Sequence, residues 1–328
     1  MRRILFLVVV LAIALGGALL WERANFAAPG PLAAKGGQTI VLIPPGENVT
    51  AISHDLKDAG VIESAELFRW GVRLRGQGHA LKAGEYAIAS AASMDDIAAI
   101  LISGKSIQHK LTIAEGLTSK MAWDLVKADP VLTGDAGPVP EEGTLLPETY
   151  LFTRGTTRKA LIARMEKAQA KFVAELWAHR AKGLPFKTPE QAIILASIVE
   201  KETAIPAERR HIAAVFINRL ERGMKLQSDP TIIYGLTKGY PLGHGIRESE
   251  LNRKTAYNTY IVDGLPPTPI CNPGADSIRA VLDPAQSGDL FFVADGSGGH
   301  VFSKTVRQHR KNVAHWRDVE RKEKRKSR

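Results

Sequence analysis

Eighteen consecutive residues, Ile4 to Trp21 (ILFLVVVLAIALGGALLW), carry no charged side chain, and the first acid after them is Glu22. A helix rises about 1.5 Å per residue, so this run is just long enough to cross the hydrocarbon of a bilayer. Arg2 and Arg3 stand before it. By the positive-inside rule they hold residues 1–3 in the cytoplasm and send everything after Trp21 across the membrane. A small-x-small cleavage site before a polar start is lacking, which favours a retained single-pass anchor over residues 4–21 rather than a removed signal. The expected location is the cell inner membrane, with the rest of the chain periplasmic.

The pattern then changes. ERANFAAPGPLAAKGG, residues 22–37, is rich in Ala, Gly and Pro without helical or strand period, and reads as a linker. Residues 38–106 alternate short elements. TIVLIPP has strand composition. Val49, Ile52 and Leu56 make one face of a helix, and a second helix is capped near Ser64. LKAGEYAIA gives another strand, and a further helix is capped by Ser93 and stopped by Gly104. A strand–helix–helix–strand–helix unit of this size resembles LysM-like modules, which hold wall glycans; the alternative is a spacer domain with no ligand of its own. IPPGENVTAISHDL at Ile43 is faintly echoed by IAEGLTSKMAWDLV at Ile113, each with a strand, a Gly turn and a helix start.

Residues 107–316 form a larger mixed segment, followed by a basic tail, 317–328. TPEQ places Thr188 at an N-cap, Pro189 at the first helical position and Gln191 three residues after the cap. The helix is apolar almost all round from Ala192 to Val199, as buried helices are, and Pro206 enforces its stop. Glu202 falls in the last turn. It shares a face with Ile194, Leu195, Ile198 and Val199, whereas Glu200 aligns with Ala196 and Ser197. Apolar walls and the negative end of the helix dipole both favour a neutral Glu202. A carboxyl that keeps its proton near neutrality can act as a general acid. The alternative is a solvated EKE cluster paired with Lys201, Arg209 or Arg210.

Beyond it, ERRHIAAVFINRLERG reads as a helix ending at Gly223. MKLQSDPTIIYGL sets Gln227, Ser228, Asp229 and Tyr234 around a Pro230 turn, and TAYNTYIVDGLPPTPICNPGADS reads as an ordered loop forming a groove wall. LFFVADGSGGHVFS is a hairpin before a closing helix. The whole is an α+β chain: a transmembrane helix, a small LysM-like module and a larger mixed α+β catalytic domain.

Composition narrows the function. The net charge of +10 owes much to the tail RKEKRKSR, and the exported topology makes acidic wall polymers or lipid headgroups better partners than nucleic acid. One cysteine, Cys271, allows no internal disulfide, and His211, His244, His300 and His309 lack metal-ligand spacing. Neither a metal nor a cofactor is expected.

In this order, ASIVEKETA, VFINRL, LQSDPTIIYGL, AYNTYIVDGLPP, NPGADS and FFVADGSGGHVF resemble the endolytic murein transglycosylases of the YceG-like family. KAGEY, the EG of Glu115 and Gly116, and LPETY at Leu146 to Tyr150 extend the likeness over nearly the whole chain. Glu148 stands where the family usually has Asp, and no catalytic role is assigned to it. The resemblance implies a lyase that cuts peptidoglycan strands internally between MurNAc and GlcNAc, leaving a 1,6-anhydro-MurNAc end and using no water. The catalytic acid falls on Glu202, with Glu200 and Asp229 in reserve. Gln227, Ser228, Asp229, Tyr234, Asn258, Thr259 and Tyr260 are expected to line the sugar groove, and membrane-bound peptidoglycan synthases are the implied partners. Two other readings stay open. One is a membrane-anchored wall-binding scaffold in which EKET is structural; the other is a hydrolytic muramidase.

Overall fold

The computed structural model describes residues 2–34 and 37–326. Met1, two residues of the expected linker and the last two of the basic tail lie outside the described residues. The chain divides into two compact units: Met1–Lys110 with Leu151–Thr156, and Leu111–Tyr150 with Thr157–Arg328.

The first unit begins with α1 (Arg2–Ala27), long and apolar enough to cross a membrane. Its side chains are exposed from Ile4 to Trp21. The helix continues past Trp21 into the expected linker, because its last turns have a partner. Glu22 and Phe26 are buried. β1 (Gln38–Ile43) follows, then α2 (Val49–Asp58), α3 (Ala65–Leu74), β2 (Gly84–Ala89) and α4 (Met94–Ser103). β1 and β2 pair antiparallel from Gln38 opposite Ala89 to Ile43 opposite Gly84.

Local chemistry explains these boundaries. Asn48 caps α2 by accepting the N–H groups of Thr50 and Ala51. Ser64 caps α3, and Ser93 forms a reciprocal capping box with Asp96. Gly104 ends α4 in the left-handed conformation, φ 70°, where a side chain would be strained. Val41, Ile52, Leu56, Phe68, Tyr86 and Ile97 meet in one core. Phe26 joins that core, stacked on Phe68 with ring centroids 5.9 Å apart. Arg75 donates to Glu22 across 2.7 Å and lies 4.0 Å over the Phe26 ring.

β3 (His109–Thr112) leads into the second unit, where α5 (Ser119–Ala128) precedes β4 (Thr149–Phe152), the partner strand of β3. The echo of the first unit is visible as strand, positive-φ glycine and capped helix: Gly46 before α2 and Gly116 before α5. Four helices build the centre: α6 (Arg158–Ala178), α7 (Pro189–Glu202), α8 (Pro206–Glu221) and α9 (Asp229–Thr237). A short α10 (Glu248–Leu251) and α11 (Ala275–Leu282) follow. The hairpin β5 (Phe291–Ala294) and β6 (His300–Ser303) comes next, and then α12 (Val306–Lys326). α12 runs on through most of the segment read as a basic tail.

α7 is the axis of this unit. Every residue from Ala192 to Val199 is buried, and Leu195, Ile198 and Val199 pack with Ile212, Phe216 and Ile278. Each such side chain contributes about 1.5–3 kcal/mol by leaving water. The Thr188 hydroxyl accepts the N–H of Gln191, as the TPEQ motif predicts.

Candidate active site

α7 ends at Glu202 because Thr203 is extended and Pro206 opens the next helix. The helix therefore delivers two carboxylates at its C-terminal turn, and the fold treats them oppositely. Glu200 is spent on the protein itself. It accepts the Gly274 N–H at 3.0 Å and the Ser277 hydroxyl at 2.7 Å, tying down the start of α11, and Arg209 lies 3.8 Å away. Its side chain is 7% exposed.

Glu202 keeps partial surface exposure, while its carboxyl is closely surrounded by protein atoms. Among the described residues its one side-chain hydrogen bond comes from Ser228, whose Oγ donates to Oε1 at 2.5 Å. Ser228 occupies the N-cap of α9 but leaves capping undone, which frees its hydroxyl for Glu202. Removal from water pushes the Glu202 carboxyl up from 4.5 to about 7. The Ser228 hydrogen bond opposes that rise, the charge of Asp229 adds to it, and His300 and Arg219 pull it back.

The surrounding residues are held from several elements. Asp229 is exposed and accepts the Tyr260 hydroxyl at 2.7 Å, bringing the α9 start and the following loop together. Arg219 of α8 is buried. It donates to the carbonyls of Leu290 and Leu226 at 2.7 and 2.6 Å, locking the hairpin to the helix. His300 Nδ1 lies 2.7 Å from Glu208 Oε2 and His211 Nε2 lies 2.9 Å from Asp289 Oδ2, so both histidines have carboxylate partners. Among the described residues, no group of three His, Cys, Asp or Glu side chains is placed to hold a metal ion.

Of the residues expected in the sugar groove, Ser228, Asp229 and Tyr260 gather beside Glu202, and Gln227 is exposed next to them with φ 53°. Three others stand apart from this group. Asn258 and Thr259 are wholly buried. Asn258 Nδ2 donates to the Leu251 and Arg253 carbonyls, and Thr259 Oγ1 accepts the Ser228 N–H at 2.9 Å, so both shape the loop from behind. Tyr234 turns from Glu202 toward Glu142, to which its hydroxyl donates at 3.0 Å. Pro230 also proves to sit in the first turn of α9 rather than in a turn of its own.

Sequence reasoning missed a second group of acids. Arg209, buried on α8, gathers Glu115 at 3.5 Å, Asp276 at 3.5 Å and Glu200. Burial, reinforced by the charge of Glu200, raises the Glu115 carboxyl. Glu115 was visible only as the first residue of an EG pair.

With this geometry in place, comparison with known proteins assigns the chain. The model of the YceG-like family matches residues 41–315. The chain belongs to that family. It is 31% identical to the endolytic murein transglycosylase of Bacillus subtilis, over 90% of this chain and 89% of that protein. The endolytic murein transglycosylase of Streptococcus pneumoniae is 29% identical, over 83% of this chain and 57% of that longer protein. Among solved structures, a YceG-like protein from Listeria monocytogenes has 32% identity and a TM-score of 0.52, covering 84% of this chain and 98% of its own.

Proposed function

We propose that this chain is a membrane-anchored lyase of peptidoglycan, a lytic transglycosylase that cuts inside glycan strands. The bond is the β-1,4 link from MurNAc to GlcNAc, and the reaction uses no water. Glu202 gives its proton to the glycosidic oxygen as the C1–O bond breaks. The C6 hydroxyl of the same MurNAc closes on C1, and its proton passes to the carboxylate just formed. Glu202 is thereby restored, the GlcNAc side leaves with a free hydroxyl, and the MurNAc side ends as a 1,6-anhydro sugar.

The observation that carries this reading is the contrast between Glu200, anchored by a backbone N–H and a hydroxyl, and Glu202, raised to about 7 with one hydroxyl partner. An acid poised near the working pH is best matched to proton transfer in both directions. With Ser228 donating to Oε1, Oε2 is the oxygen left to carry the proton and hand it to the sugar. Asp229 supplies a nearby negative charge suited to an oxocarbenium-like centre. A two-carboxylate hydrolase needs a second acid to activate water or attack the sugar, and Glu200 is already engaged.

The remaining parts fit that activity. α1, apolar from Ile4 to Trp21 with Arg2 and Arg3 in its first turn, supports a reading in which it anchors the enzyme in the inner membrane with the catalytic unit periplasmic, beside strands emerging from membrane-bound synthases. The β1–α2–α3–β2–α4 unit serves as a LysM-like module for wall glycan.

Mass spectrometry of purified glycan strands digested by the full-length protein tests the proposal. Internal fragments ending in anhydro-MurNAc are expected from the native chain and none from Glu202→Gln. Reducing MurNAc ends would establish a hydrolase, and binding without any cut a scaffold.

A further inference from the structure

A cavity of about 950 Å³ opens in the catalytic unit at the other end of α7 from Glu202. Ile194 lines it, and eight residues of helix put that side chain about 12 Å along the axis from the acid. The volume lies in the range of small-ligand pockets. Its walls have one electrical sign. Glu141, Glu142, Glu166 and Glu190 line it, and no Lys, Arg or His does so among the described residues, in a chain of net charge +10.

The inner wall holds an unused acceptor. Gln169 is 4% exposed; its Nε2 donates to the Gly143 carbonyl at 3.0 Å, while its buried Oε1 has no hydrogen-bond partner. A buried polar atom left unpaired is costly, and the residue that carries this one is part of the cavity lining. Tyr234 and Tyr257, edge to face with centroids 4.8 Å apart, form the aromatic side. Lys238, which is not in the lining, holds its ammonium over the same two rings, 5.4 and 5.0 Å from their centroids, in a cation–π contact. Glu142 already accepts the Ser119 N–H and the Tyr234 hydroxyl at 2.6 and 3.0 Å. Thus the cavity offers oxygen acceptors, ring faces and an apolar floor from Val173, Ile193 and Pro269.

Four glutamates with no cationic side chain among the lining residues select a ligand that brings a positive charge. We infer that this cavity binds a primary amine carried on a short peptide, namely the side-chain amine of a stem peptide on the murein strand being cut. The inference rests on the peptidoglycan reading above. On that reading the strand passes Glu202, and its lateral stems reach the far end of the same helix. The apolar floor receives the peptide, and the exposed glutamates of the rim receive the ammonium, with the Gln169 amide behind them.

The test is calorimetric titration of the full-length protein in detergent, at low salt, with an N-acetylated tetrapeptide containing one lysine. Its twin has the lysine amine acetylated. The free amine is expected to bind about fivefold or more tighter than the acetylated twin, as two partly screened carboxylates provide. Glu166→Gln with Glu190→Gln, both exposed and removing charge alone, should abolish that preference. The same double variant should raise KM for peptide-bearing strands and leave it unchanged for peptide-stripped strands. Equal binding of the two peptides, no binding of either, or a preference surviving in the variant would overturn the inference. Because the titration requires no bond cleavage, it reports on the cavity even if the lyase assay fails.

Discussion

The Ser228 hydroxyl donates to Glu202 Oε1 across 2.5 Å, joining the start of α9 to the end of α7. This is the one bond that favours the ionised carboxylate against the burial that disfavours it. Ser228→Ala removes it with little change of shape. The alkaline limb of the pH–rate profile should then move upward, because the neutral form gains, and the maximal rate should fall about tenfold as the carboxyl loses its orientation. A limb that stays in place would show that Ser228 does not set the proton affinity.

Glu200 and Glu202 should part company in stability measurements. Glu200→Gln weakens the hold on the Gly274 N–H and the Ser277 hydroxyl and leaves Arg209 short of a partner, at a cost of about 1–3 kcal/mol. Its Tm should drop at pH 7, with the lyase reaction persisting in the folded fraction.

Glu202→Gln should behave in the opposite sense. Burial raises the folded carboxyl from 4.5 to about 7, so the stability tied to its proton is fully present below about pH 4.5 and drains away by pH 7. Glutamine is indifferent to pH. The variant should match the native chain in acid and gain on it across that window, by up to about 3 kcal/mol, as read from denaturant midpoints. A difference that stays constant with pH would contradict this.

How far the sequence reaches depends on whether a signal is local. Caps are local, and Thr188, Ser93 and Gly104 act as their spacing indicates. The phase of α7 likewise marks Glu202 within fourteen residues of sequence. Partners brought by the fold are not local: Tyr234 and Glu142 are 92 positions apart, and Arg209 and Glu115 are 94. Asn258 and Thr259 look like surface residues because they are polar, yet they are buried with their hydrogen bonds made inside the loop. α6 escaped notice because its apolar positions are diluted by charge; only Leu161, Ile162, Met165, Gln169 and Val173 are buried. The continuation of α1 to Ala27 depends on α3, which no pattern in ERANFA reveals.

That last contact yields its own prediction. A Cβ at Gly71 would fall 2.4 Å from the Phe26 ring, so α3 and α1 approach as closely as they do only because Gly71 has no side chain. Gly71→Ala should push Phe26 out, costing about 1–3 kcal/mol, and loosen the Arg75–Glu22 pair. Limited proteolysis of the full-length protein in detergent should cut faster around Phe26 to Ala34. An unchanged cleavage rate would mean that this contact does not hold the helix.

The most direct measurement is the titration of the Glu202 carboxyl itself, by carbon NMR of protein labelled at glutamate side chains, with Glu202→Gln identifying the resonance. A midpoint near 7 is expected, well apart from the exposed glutamates. A midpoint at the ordinary carboxylate value would leave the site without a proton to give, and the proposed chemistry would fall with it.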